Sequence, residues 1–465
     1  MLRRFRFRNF KAWRDTGSVE LAPLTILFGT NSSGKSSINH LLMLLRQTVR
    51  SPDRKSVLDL GDPESPVQLG SFKDLIFDHR TKDSLGIDLD WDLPSELTVR
   101  DPISRRRWSG DGLAFRGEIR QAASGRTLQS AGFSYRLLAA SEEQLRVDFE
   151  RDTKREDRWQ IGSSPYDLVR TKGRAWELPK PVHFYGFPNE ASVYFQNSAF
   201  LGDLELAFES RFEDLSYLGP IRQPPARIYP WAGSVPEDVG WRGENAVNAL
   251  LAGADRRYNW TAKARTKSLE QIVAAWLKEL GLITSFQVSE IAPGRSEYEV
   301  RVRARPKSAE VKLTDVGFGV SQVLPVVTQA FYAPASSTVL VEQPEIHLHP
   351  RAQSVLGDLL LDAVTARENS TERQVQLIVE SHSEHLLRRI QRRIAEEKVD
   401  PSQVALYFCY SSPEGSAMDR LEVDTFGDIL NWPPDFFGDE LEDVSVQAEV
   451  GMQRRMKIIE ADDRP

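Results

Sequence analysis

Three short apolar runs punctuate the chain: LTILF at 24–28, TVLV at 338–341 and QLIV at 376–379. Each is continuous rather than alternating and carries branched side chains, the pattern of a strand buried on both faces. Each also stops at a polar turn. The first is followed by a second apolar run at 38–45, which continues as a helix. Residues 268–280 predict an amphipathic helix, with Leu269, Ile272, Val273, Trp276, Leu277 and Leu280 on one stripe facing the core. Alternating runs at 85–91, 114–119 and 298–302 predict a strand-rich segment between residues 81 and 310. Heptads are not sustained anywhere, so no long coiled coil is expected, and no internal repeat is visible.

Composition narrows the class. With 40% hydrophobic residues over 465 positions, the chain can bury one large core or two smaller ones. A net charge of -7 argues against a surface given over to nucleic acid. Only local clusters, Arg105-Arg106-Arg107 and Arg388, Arg389, Arg392 and Arg393, keep DNA among the candidate partners, and such arginines are more often a solvated face. The single cysteine, Cys409, cannot form an internal disulfide and fits a reducing cytoplasm. The basic start lacks a following apolar segment, and no stretch approaches the roughly 18 apolar residues that cross a bilayer, so a cytoplasmic protein without a membrane partner is expected.

The turn after the first run carries the chemistry. Gly29-Thr30-Asn31-Ser32-Ser33-Gly34-Lys35-Ser36 is G-x-x-x-x-G-K-S between a strand and a helix, the context a phosphate-binding loop requires. The backbone N–H groups of Gly29, Asn31, Ser33, Gly34 and Ser37 and the positive end of the helix suit the phosphates of ATP. Lys35 supplies a point charge to the β- and γ-phosphates, and the Ser36 hydroxyl joins a Mg²⁺ shell. The second run delivers Glu342, placed to hold Mg²⁺ through water. After it, Glu345, His347 and His349 alternate, so an extended loop would set them on one side as a metal constellation, a reading weakened by the lack of a fourth ligand.

The segment Glu342-Gln343-Pro344-Glu345-Ile346-His347-Leu348-His349-Pro350 resembles the E-x-P-E-x-H-L-H-P signature of SMC-like and OLD-like ATPases. That resemblance implies Glu342 as the Walker B acid and Gln343 at the usual catalytic-glutamate position, with Glu345 as the substitute base or Gln343 as a water-orienting amide. It also makes 313–325 similar to an ABC signature helix, with Gly319, Ser321 and Gln322 reaching a nucleotide on a second subunit and Pro325 in the first turn. His382 matches the switch histidine, Gln68 loosely matches the metal-sensing glutamine, and Arg8-Asn9-Phe10-Lys11 resembles the opening strand of SMC-like heads. The implied fold is α/β: an ABC-type P-loop ATPase head with a strand-rich insertion. Its parts are an N-terminal ATPase lobe at 1–80, the insertion and a helical segment at 81–310, a C-terminal ATPase lobe at 311–400 and an extension at 401–465. The resemblance to Toprim-lacking OLD-like proteins and to ATPase subunits of the antiphage systems Septu and PARIS implies a slow ATPase. It would act as a switch or scaffold, forming a head-to-head dimer or larger homo-oligomer and controlling a separate nuclease or toxin. The alternative is a DNA repair or recombination ATPase acting on DNA ends. A built-in nuclease is not expected, since the acids Asp439, Glu440, Glu442 and Asp443 sit in a polar tail without apolar strands.

Overall fold

A computed structural model describes residues 1–125, 127–152, 155–173, 176–260, 264–433 and 445–455. The four tail acids named above lie outside the described residues.

The three apolar runs become neighbours in one sheet. Its strands lie in the order Leu215–Leu218, Thr338–Glu342, Gln376–Glu380, Leu24–Gly29, Val404–Ser412 and Gly415–Arg420. The first five are mutually parallel, and the last pairs antiparallel with its neighbour. Because side chains alternate across a strand, Leu24, Ile26, Phe28, Val339, Val341, Leu377 and Val379 enter one core, while Leu27, Leu340 and Ile378 enter another. This double burial is why the runs are continuous in sequence. Helices Leu269–Glu279, Phe318–Tyr332, Pro350–Thr365 and Glu384–Ala395 pack on the first face. Lys35–Arg50 and Phe200–Glu213 pack on the second. Parallel strands need such crossovers, and they bring every strand's C-terminal end to the same edge.

The second sheet is antiparallel and covers that second face. Its main path runs Trp13–Asp15, Leu2–Phe10, Leu85–Arg100, Arg107–Gln121, Leu128–Ala139, Glu142–Asp152 and Arg155–Ser164. The opening strand pairs with Leu85–Arg100, so this sheet is continuous across residue 80. The run at 298–302 belongs to a separate small sheet, where Glu297–Arg303 pairs with Ser285–Glu290. Among the described residues no helix exceeds 16 residues, which leaves no long coiled coil, and none is long and apolar enough to cross a membrane.

The amphipathic helix forms as its pattern predicts. Ser268 caps Leu269–Glu279 in a reciprocal capping box with Gln271, and Leu269, Ile272, Val273 and Leu277 are buried. Pro325 departs from expectation. The helix that carries it starts at Phe318, after Gly317, so the proline sits in the helix interior rather than in the first turn. Its ring packs where a side chain at Gly243 would otherwise lie, with a β-carbon there only 2.5 Å from the ring.

Candidate functional site

The phosphate-binding loop is shaped by two close approaches. Gly29 ends its strand at φ 142°, where a β-carbon would lie 1.9 Å from the Cys409 carbonyl oxygen of the neighbouring strand. Gly34 opens the helix at φ 85°, and its carbonyl accepts the Trp13 indole N–H at 2.9 Å. Only glycine fits either place. Between them Asn31 and Ser32 are exposed and Ser33 is buried. The buried Lys35 ammonium folds into the loop, donating to the Gly29 and Thr30 carbonyls at 3.0 and 2.7 Å and lying 3.3 Å from Ser33 Oγ. Ser36 and Ser37 are half-buried in the first turn of Lys35–Arg50, which holds no acidic side chain to compete for an anion.

The adjacent strands deliver two buried acids in register. Glu342 and Glu380 are paired residues at their strands' ends, and Glu380 is also paired with Leu27 of the loop strand. Glu342 Oε1 accepts the Tyr217 hydroxyl at 3.1 Å and the Asn39 amide at 3.5 Å, with His40 Nε2 at 3.9 Å. Lys11 Nζ lies 3.1 Å from the other His40 nitrogen. Burial, then the charge of Glu380, pushes Glu342 up to about 8. Burial, then Lys11, pushes His40 down to about 4, so this imidazole is neutral at pH 7. Burial raises the Glu380 carboxyl as well, opposed by the nearby Ser36 side chain and the Lys35 charge.

A stability prediction follows for the protein without added nucleotide or metal. The folded chain keeps a proton on Glu342 that the unfolded chain releases near 4.5. Stability from this group is full below that value and is lost as pH rises through about 8. Denaturant titrations at pH 5 and pH 8.5 should show the parent losing, relative to Glu342→Gln, on the order of a few kcal/mol across that window. Parallel pH dependence in both proteins would contradict the assignment.

Past the second strand the chain turns sharply. Gln343 adopts φ 44°, with its N–H donating to the Glu380 carbonyl at 2.8 Å. The buried guanidinium of Arg222 donates to the Glu342 carbonyl at 2.8 Å and to the Gln343 carbonyl at 3.4 Å. Glu345 is buried by the same turn. Its Oε1 accepts the His382 N–H at 2.6 Å, its Oε2 has no hydrogen-bond partner, and burial raises its pKa. The His382 ring is half-buried; burial, then the Lys35 charge, lowers its pKa, and the Gly29 backbone opposes that shift. The loop, Glu342, Gln343, Glu345 and His382 therefore come together at one sheet edge.

Other expected residues lie elsewhere. Gln68 is exposed, its amide donating to the Pro63 carbonyl at 3.0 Å, and it sits in a surface turn rather than at the acids. Ser321 and Gln322 are buried in their own chain, and Ser321 Oγ donates to the Phe318 carbonyl at 2.8 Å. The helix begins three residues before Ser321, so both side chains have turned inward. Only Gly319, with Gly317 and Phe318, remains at the helix start. His347 is exposed at φ 63° and packs edge-on against Phe318, with ring centroids 5.0 Å apart. His349 caps Pro350–Thr365 by accepting from Arg351 N. A turn, not an extended strand, holds Glu345, His347 and His349, and among the described residues no three His, Cys, Asp or Glu side chains form a metal site.

Several site residues were missed by sequence reasoning. Asn39 and His40 lie one turn beyond Lys35 on the same helix, which helical spacing could have flagged. Tyr217 and Arg222 come from a distant segment, and Glu380 directly follows the apolar run at 376–379.

The residues at this edge fall within a family match. A family model described as "AAA domain, putative AbiEii toxin, Type IV TA system" matches residues 24–388, and a second, a protein of unknown function, matches 399–447. Structural similarity is found to an SMC head bound to the C-terminal winged-helix domain of ScpA (9% identity, TM-score 0.44, 91% of this chain and 98% of that chain). The SMC head domain from Thermotoga maritima is also similar (11%, 0.40, 91% and 99%). So is an Smc head with an extended coiled coil bound to the C-terminal domain of ScpA, derived from Pyrococcus furiosus (10%, 0.42, 90% and 96%). No curated protein matches the chain. With the first model spanning well over half of its length, from the loop strand through the turn carrying His382, the chain belongs to the family of AAA domains described as putative AbiEii toxins.

Proposed function

We propose that the chain binds ATP with Mg²⁺ at this edge, hydrolyses it slowly and works as a nucleotide-dependent switch or scaffold. The observation that carries the reading is the convergence of Lys35 and Ser36 with Glu342, Glu345, Glu380 and His382 at the ends of three adjacent parallel strands. Buried Glu380 Oε2 and Asn39 Oδ1 have no hydrogen-bond partners, which fits a divalent cation completed by phosphate oxygens and water. Bound Mg²⁺ would neutralise phosphate charge. Lys35 would hold the β- and γ-phosphates, Ser36, Glu342 and Glu380 would face the cation, and His382 stands beside the loop to hydrogen-bond the γ-phosphate.

The second subunit in this reading meets the helix start at Gly317–Gly319. Phe318 is 53% exposed there and Ile221, one residue before Arg222, is 74% exposed. Apolar side chains this exposed beside a polar site support a contact with another copy. Light scattering should show a nucleotide-driven increase in mass for the parent and none for Phe318→Glu. An identical mass with and without ATP in the parent would rule out the two-head switch.

The role in antiphage defence, with control of a separate nuclease or toxin as in OLD-like, Septu and PARIS systems, draws support from the family's association with a toxin of a type IV toxin–antitoxin system. The repair reading has less behind it. Arg388, Arg389, Arg392 and Arg393 pair with Glu384, Asp358 and Glu396, which leaves that helix poor in free positive charge. Mass spectrometry of what co-purifies with the untagged chain separates an effector protein from DNA-end factors.

A further inference from the structure

The acid expected beside Ser36 was Glu342, but its strand neighbour Glu380, paired with it in register, also ends at the loop, and the Ser36 side chain acts to lower the Glu380 pKa. Glu342 Oε1 is engaged by Tyr217 and Asn39. Glu380 is 3% exposed, and its Oε2 has no partner. A buried carboxylate oxygen without a partner is costly unless something completes it. It stands at the strand end, in register with Glu342, and its charge acts on Lys35.

We propose that Glu380 is the second acid of the cation shell, accepting a hydrogen bond from the Ser36 hydroxyl so that the Ser36 oxygen faces Mg²⁺. In this role it makes ATP binding depend on the cation. This inference rests on the ATP–Mg²⁺ reading above. Three acids (Glu342, Glu345 and Glu380) and three cations (Lys11, Lys35 and Arg222) interact within the site. A nucleotide entering without a divalent ion brings its negative charge up to the Glu380 carboxylate, in a poorly solvated place where repulsion is weakly screened. With the ion between them, the same carboxylate attracts. Mg²⁺ characteristically uses one or two carboxylates with substrate phosphates, and a pair of acids in register above Ser36 supplies that.

The test is calorimetric titration of ATP into the full chain, in excess Mg²⁺ and in EDTA, for the parent, Glu380→Gln and Glu380→Asp. The ratio of the metal-free to the Mg²⁺ dissociation constant should fall at least tenfold in Glu380→Gln, because the amide weakens binding with the ion and relieves repulsion without it. Glu380→Asp, which keeps the charge but retracts it by one methylene, should fall between. A residue that only supports the fold would shift both constants together, and an unchanged ratio in Glu380→Gln overturns the inference. If the Gln variant does not fold, a parental ratio in Glu380→Asp does the same. A parent that binds ATP in neither condition overturns the reading of the site itself.

Discussion

Replacing Glu345 by glutamine is expected to slow ATP turnover by about 10²–10⁴-fold while leaving ATP affinity within a few fold of the parent. The position after Glu342 holds Gln343, whose amide cannot take a proton from water. Glu345 can. Its Oε1 is anchored by the His382 N–H, and Oε2 is left free in a buried place that raises the pKa of the carboxyl. A glutamine keeps the anchoring oxygen and loses only the basic one, so folding and binding should survive. Steady-state ATPase and calorimetry on the same preparations give the comparison. Turnover equal to the parent's would move the base elsewhere. Gln343→Glu tests the complementary point. The parent should run well below ~10 s⁻¹, a typical enzyme median, and the new carboxylate should raise it. A parent already at that rate, with no gain in Gln343→Glu, would end the slow-switch reading.

Lys35→Ala should lower ATP affinity at least tenfold, about 1.4 kcal/mol. The ammonium is the charge aimed at the phosphates, and in the structure it spans the Gly29 and Thr30 carbonyls from inside the loop. Nucleotide phosphates would take over as its partners. Because burial lowers its pKa, the lysine contributes little to folding, and thermal stability should change far less than binding. Equal ATP affinity in variant and parent, measured by calorimetry, would sink the assignment.

Much of this site could be read from contiguous residues. The loop's glycines are local requirements, imposed by positive φ at Gly34 and by the Cys409 backbone against Gly29, and they sit within eight positions of Lys35 and Ser36. The three strands were equally visible, since burial on both faces of a parallel sheet writes an uninterrupted apolar run into each. Helix Leu269–Glu279 carried its own cap and stripe.

What the tertiary structure decided was relative placement. Strand register set Glu380 beside Glu342 and next to Ser36, and hydrogen bonds between segments far apart in sequence control that register. Arg222 and Tyr217 joined the site because Leu215–Leu218 docks beside Thr338–Glu342, a pairing no spacing in the chain announces. Helix phase turned Ser321 and Gln322 inward. Each residue rotates the side chain by about 100°, so a start at Phe318 is enough to bury them. Gln68 went to a surface turn because its neighbours Val67 and Leu69 took the buried places. Local pattern specified which residues could do chemistry, and long-range packing chose which of them meet.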